Sequence, residues 1–162
     1  MTICIGDSLP DVSFPVFKEE SIKQTLLSDL TLNKKTLIIG MPGAFTKTCS
    51  KEHLPNIVKN SKNLFARGID EILCVVVNDI YVATVWAEHS GAASAGIKVL
   101  ADVEAKFAQS IGMQFTAPAI GFFNRIHRVA ILSENNIVTN IVTEKNRGTC
   151  ELTSADALLP ML

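Results

Sequence analysis

The chain has 162 residues and is 48% hydrophobic, which suits one domain over 1–162 with a single buried core. Fifteen Lys and Arg against sixteen Asp and Glu leave a formal charge of −1, so there is no general electrostatic ground for binding nucleic acid or an anionic membrane. No apolar run approaches the roughly 20 residues that a membrane helix needs, so no membrane partner is expected.

The opening Met1-Thr2-Ile3-Cys4-Ile5-Gly6-Asp7 has neither a basic-then-apolar signal pattern nor an Arg-rich leader. With Met1 as the native start the expectation is a cytoplasmic protein, and a trimmed leader would point to an organelle. Gly6 to Phe17 reads as an entry hairpin, and Ser21 to Leu30 as a short helix or an extended connection. Thr36 to Gly40 is an apolar strand. Beyond Cys49, Leu54, Ile57, Val58, Leu64 and Phe65 fall at helical spacing up to Gly68, and Pro55 should kink that helix.

Ile72 to Val77 is a continuous apolar run, as expected of a strand buried on both faces. Ile80 to Glu88 reads as a helix, Val99-Leu100 as a short strand and Val103 to Ile111 as a helix. Ile120 to Phe123 and Val129 to Leu132 read as strands, and Asn135-Asn136 as a turn before a strand over Ile137 to Thr143. Thr153-Ser154 can cap a last helix through Leu159. Strands alternate with helices and no linker, repeat or low-complexity segment intervenes, which predicts an α/β fold with a mixed central sheet flanked by helices.

The four cysteines stand at 4, 49, 74 and 150. They form no Cys-x-x-Cys pair, and no histidine lies at zinc-ligand spacing, so no metal site is expected. A secreted disulfide scaffold does not fit either, which leaves a reducing-compartment protein with working thiols. Cys49 is the candidate nucleophile. It lies where a strand and loop lead into a helix, and the free N–H groups and dipole of a helix N-terminus favour thiolate. Thr46 can place a hydroxyl beside the sulfur, and Pro42 stiffens the loop and shields it from water.

Pro42-Gly43-Ala44-Phe45-Thr46-Lys47-Thr48-Cys49-Ser50 resembles the peroxidatic motif of the peroxiredoxins, in the form of the type II, peroxiredoxin-5-like subfamily. The likeness continues through His53-Leu54-Pro55, Gly68 to Cys74, Val77-Asn78-Asp79, Trp86, Ala101-Asp102 and Phe107, and so covers nearly the whole chain. Lys47 replaces a frequent proline, and Val76 a frequent serine.

The resemblance implies a thioredoxin-like fold, a homodimer and a thiol-dependent peroxidase that needs no metal, flavin or haem. Its substrates would be hydrogen peroxide and small organic hydroperoxides, and its reductant thioredoxin, glutaredoxin or glutathione. Cys49 would attack the O–O bond and become a sulfenic acid. Thr46 Oγ and the backbone N–H groups of Thr48 and Cys49 would bind the peroxide. The family's site arginine aligns with Arg125 of Arg125-Ile126-His127-Arg128. His127 shares its strand face, whereas Arg128 has opposite parity and would lend support from a second position or pair at the surface.

Cys150 falls where animal-type members have their resolving cysteine, and Cys74 where plant-type members have theirs. Cys150 ranks first, ahead of an external thiol and of Cys74, whose apolar run suits an inert core thiol. Two other functions stay open. His53, four residues after Cys49, would share its helix face and make a Cys–His acyl-transfer pair. A non-enzymatic redox sensor would pass oxidation of Cys49 to a partner.

Overall fold

The computed structural model describes residues 2–162. Five strands form the central sheet in the order β5-β4-β3-β8-β9: β3 (Lys35–Gly40), β4 (Glu71–Val76), β5 (Ile97–Ala101), β8 (Val129–Glu134) and β9 (Ile137–Thr143). β3 runs parallel to β4 and antiparallel to β8. The inner strands are the continuously apolar runs of the sequence, because both of their faces are covered.

Period-2 alternation sorts their side chains into two cores. Leu37, Ile39, Ile72, Cys74, Val76, Ala130 and Leu132 face one cluster, which also contains Cys49, Leu54, Ile57, Leu64 and Trp86. Ile38, Leu73, Val75, Val129 and Ile131 face the other, with Phe14, Leu27, Phe107 and Ile111. Helices α2 (Leu54–Ala66), α3 (Ile80–His89) and α5 (Ala155–Leu158) belong to the first layer; α1 (Leu27–Thr31) and α4 (Lys106–Ser110) belong to the second.

The hairpin expected over Gly6 to Phe17 lies later in the chain: β1 (Ser13–Lys18) pairs with β2 (Ser21–Leu26), so Ser21 to Leu30 divides into a strand and the start of α1. Its two turn residues, Glu19 and Glu20, both have positive φ, a conformation normally signalled by Asn or Gly. Asn135 and Asn136 adopt the same conformation between β8 and β9, where the residue types did announce it. The strand expected over Ile120 to Phe123 is displaced. Pro118–Ile120 form a 3₁₀ turn, and β7 (Phe122–Ile126) pairs with β6 (Gln114–Ala117), a four-residue strand that ends before Pro118. α4 begins later than expected because Asp102 accepts from the N–H groups of Phe107 and Ala108 at 3.1 and 2.9 Å, leaving Val103 outside the helix.

Pro55 acts ahead of itself. Cys49–His53 form a π-helical turn, in which the Leu54 N–H reaches back to the Cys49 carbonyl. Pro55 has no N–H to donate to Lys51, and its ring would press on that carbonyl in a regular α-helix. The wider turn avoids both problems, so the expected kink takes the form of a π-turn beginning at Cys49.

Candidate active site

Cys49 lies in the first turns of this helix, at the base of a cleft of about 380 Å³ that Pro42, Thr46, Lys47, Phe115, Ile120, Phe122 and Arg128 help to line. Its side chain is 1% exposed. Backbone N–H groups at such a helix start have no partner within the helix and can face an anion. Thr46 Oγ1 donates to the Gly43 carbonyl at 2.7 Å, so what remains to it is acceptance from a bound O–H. Thr48 Oγ1 donates to the Gly148 carbonyl at 3.0 Å.

Arg128 is the guanidinium on the sulfur. Its Nη2 donates to Cys49 Sγ at 3.5 Å and to the Arg147 carbonyl at 3.2 Å. It immediately precedes β8 and continues the parity of Ala130 and Leu132, which directs it to the Cys49 face. Arg128 is 2% exposed, and none of the three ion pairs among the described residues involves it: Lys34–Glu71, Lys98–Glu71 and Lys106–Glu104. A buried cation without a carboxylate favours another anion, and a cysteine sulfur within hydrogen-bond reach can supply one.

Arg125, expected on the sulfur, sits one step away. Its Nη1 donates to the Pro42 carbonyl and to Asn78 Oδ1, both at 3.3 Å, and its guanidinium covers the Phe122 ring at 5.1 Å. Asn78 Oδ1 also accepts from the Ala44 N–H at 3.0 Å. Arg125 and Asn78 thus brace the loop that leads to Cys49. Gly43 permits this approach, since a Cβ there would stand 2.7 Å from Arg125 Nη1. The physical reason for the difference is that Arg125 lies on β7, outside the central sheet, so its parity does not point it at Cys49.

His53 is fully buried, and both ring nitrogens are engaged. Nε2 lies 2.9 Å from the Thr153 carbonyl, which can only accept, so Nε2 carries the hydrogen and Nδ1 accepts from Arg128 Nη1 at 2.8 Å. The ring makes no hydrogen bond to Cys49, so the Cys–His pair of an acyl-transfer enzyme is not assembled. Burial first, and Arg128 second, push the His53 pKa down to about 4. The unfolded chain therefore takes up a proton near pH 6.5 that the folded protein refuses until about pH 4. Stability from this group is whole above 6.5 and is lost as pH falls through that window, by about 3 kcal/mol. Urea unfolding across this pH range should show that loss in the wild type and a smaller one in His53→Asn.

His127 packs against Phe115 at 4.7 Å, behind the cleft wall. Cys74 is buried in the Cys49 cluster, and burial pushes its thiol pKa up strongly. Cys150 is half-buried; burial raises its pKa to about 11, and nearby Arg128 offsets part of the rise. The segment carrying Cys150 bonds to this helix start through the Gly148 carbonyl to Thr48 and the Thr153 carbonyl to His53, and to Arg128 through the Arg147 carbonyl. Sequence reasoning ranked Arg128 second and missed the structural place of His53, because both depend on which carbonyls the distant segment brings.

The chain matches the Redoxin family over residues 5–159. Peroxiredoxin-2E-2, chloroplastic, from Oryza sativa subsp. japonica is 33% identical, with 99% of this chain and 73% of that protein covered. Peroxiredoxin Pen c 3 from Penicillium citrinum is 34% identical, with both chains covered in full. The crystal structure of reduced Prx3 in complex with H₂O₂ from Vibrio vulnificus superimposes with a TM-score of 0.90 at 30% identity, covering 99% of this chain and 96% of that one. Thioredoxin-like architecture, a cysteine at a strand–loop–helix junction and full-length similarity to these proteins agree, and the chain belongs to the Redoxin family as a peroxiredoxin of the type II group.

Proposed function

We propose that Cys49 is the peroxidatic nucleophile of this thiol-dependent peroxidase and that Arg128 holds its thiolate. The observation that carries the reading is the buried guanidinium of Arg128, 3.5 Å from Sγ and without a carboxylate partner among the described residues. The thiolate attacks the terminal oxygen of a hydroperoxide, forming the S–O bond as the O–O bond breaks. Two electrons pass from sulfur to the peroxide, the leaving alkoxide or hydroxide takes a proton, and Cys49 becomes a sulfenic acid. Thr46 Oγ1 accepts from the peroxide O–H. The backbone N–H groups of Thr48 and Cys49 and the Arg128 guanidinium face the oxygen that gains charge. Pro42 walls the cleft, and Arg125 fixes the Pro42 carbonyl. Phe115, Ile120 and Phe122 line the cleft with apolar surface suited to the organic part of a small alkyl hydroperoxide as well as to hydrogen peroxide.

Cys150 is the preferred resolving residue. Its thiol attacks the Cys49 sulfenic acid, a disulfide forms and water leaves. Cys150 lies outside regular structure in a short segment, and undocking that segment removes the burial that raises its pKa. Cys74 sits mid-strand in β4 between β3 and β5, so using it would require breaking both pairings. The disulfide would be reduced by thioredoxin, glutaredoxin or glutathione. Peptide mapping after one equivalent of peroxide should yield a Cys49–Cys150 linkage. A Cys49–Cys74 peptide would transfer the role to the strand cysteine, and a sulfenic acid consumed only by added glutathione would leave Cys150 structural.

The reading includes a single domain, a cytoplasmic setting and a homodimer. Exposed apolar side chains beside the cleft support the dimer: Phe45 at 53%, Ile120 at 65% and Phe123 at 60%. Sedimentation velocity would test it, a species of one chain mass counting against it. Among the described residues no helix is long and apolar enough to cross a membrane.

A further inference from the structure

We propose that Glu144 latches the segment from Arg147 to Thr153 and that this docked segment positions Arg128 on the Cys49 sulfur. The inference rests on the assignment of Arg128 to the thiolate. Glu144 Oε1 accepts from the N–H groups of Glu151, Leu152 and Thr153 at 2.9, 2.7 and 2.8 Å and from Thr153 Oγ1 at 2.9 Å. Its Oε2 lies 3.4 Å from Thr149 Oγ1, whose single hydrogen has a nearer acceptor in the Asn146 carbonyl at 3.0 Å. Burial alone would raise the Glu144 pKa, but these hydrogen bonds outweigh it and hold the carboxyl below its ordinary value.

The guanidinium of Arg128 has few restraints of its own. Its Nε has no partner, although the side chain is buried. Orientation therefore falls to Nη1 on His53 and to Nη2 between Cys49 Sγ and the Arg147 carbonyl. The Arg147 carbonyl belongs to the segment. His53 is in turn held as an acceptor because the Thr153 carbonyl takes its Nε2 hydrogen. With the segment undocked, the guanidinium loses the Arg147 carbonyl and keeps only the sulfur and a His53 ring that is no longer fixed as an acceptor. Glu144 and His53 are thus positioning residues: the carboxylate makes no hydrogen bond to Cys49 or Arg128, and His53 reaches the sulfur only through the arginine. The arrangement also orders the cycle. Movement of the segment as Cys150 joins Cys49 in the proposed disulfide would release Arg128 at the stage when the sulfur is no longer a thiolate.

The sign of one measurement separates this from a charge effect. Removing a carboxylate near a thiol would, through space, lower the thiol pKa. Loss of the latch raises it. In a Cys4→Ser, Cys150→Ser background, Glu144→Gln and Glu144→Ala should raise the Cys49 pKa, read from alkylation rate against pH. Glu144→Ala should slow the single-turnover peroxide step about tenfold, the size of losing one hydrogen bond to a charged group. Trp86 fluorescence can report that step, since Nε1 donates to the neighbouring Ser50 Oγ at 2.9 Å. In an Arg128→Met background Glu144→Ala should have no further effect, whereas a general loosening of the fold would persist. An unchanged or lowered Cys49 pKa in folded Glu144→Gln and Glu144→Ala, with Arg128→Met still slow, overturns the latch alone. If Arg128→Met leaves both pKa and rate unchanged, the assignment of Arg128 fails first.

Discussion

Cys49→Ser should abolish peroxide turnover and leave a folded protein. A serine hydroxyl at this position stays protonated near neutral pH, and its oxygen cannot form the sulfenic acid on which the cycle depends. The substitution changes one atom of a side chain that is 1% exposed, so the packing of Leu54, Ile57 and Trp86 around it has little to adjust. With Cys49 as the proposed thiolate, the charge balance does change, because Arg128 then loses the anion that offsets its burial. A stability loss of about 1–3 kcal/mol is expected, and it should shrink when Arg128→Met is added. Peroxide consumption with a thiol reductant, and urea unfolding of the two variants, measure both effects. Substantial turnover by folded Cys49→Ser would remove Cys49 from the mechanism, and with it the whole assignment.

Arg128→Met should raise the Cys49 pKa and slow the peroxide step by roughly 10²–10³, the range for losing one preorganised donor to developing charge. Two roles are lost together. The thiolate loses its hydrogen-bonded cation, and the attacked peroxide loses a positive group facing its charge-gaining oxygen. Methionine matches much of the stem length of arginine without burying a charge, so the fold should tolerate it. His53 Nδ1 is then left without its donor, which limits any gain in stability. Arg125→Ala should act differently. It releases the Pro42 carbonyl and Asn78, loosening the loop, and should slow turnover with a smaller change in the Cys49 pKa. Stopped-flow rates and thiol titration of the two variants decide between the arginines. A larger pKa rise in Arg125→Ala than in Arg128→Met would return the thiolate to Arg125.

The local part of the site was legible because it is built from neighbours in sequence. An apolar strand, a Pro-Gly loop with Thr46, and a helix entry at Cys49 lie within about one strand, one loop and one turn. The inner strands were legible for a similar reason, since burial on both faces demands apolar residues without a break. The hairpin at Glu19-Glu20 and strand β6 were not, because the turn lacks the residue types that usually signal it and β6 is only four residues long, cut off by Pro118.

Sequence by itself determined the mixed sheet, the family and the cysteine proposed as nucleophile, since each rests on short-range pattern or on a run of matching residues. Only the tertiary structure decided which arginine meets the sulfur. Arg125 and Arg128 are three residues apart, and their directions depend on where β7 ends and β8 joins the central sheet. Parity can be counted along a strand, but the face it points to is set by the register of β8 against β3, a pairing of segments roughly ninety residues apart in the chain. The same distance hid the environment of His53. Its neutral state and its hydrogen-bonding direction follow from the Thr153 carbonyl, one hundred residues away, and from an arginine that only the closed fold places beside it.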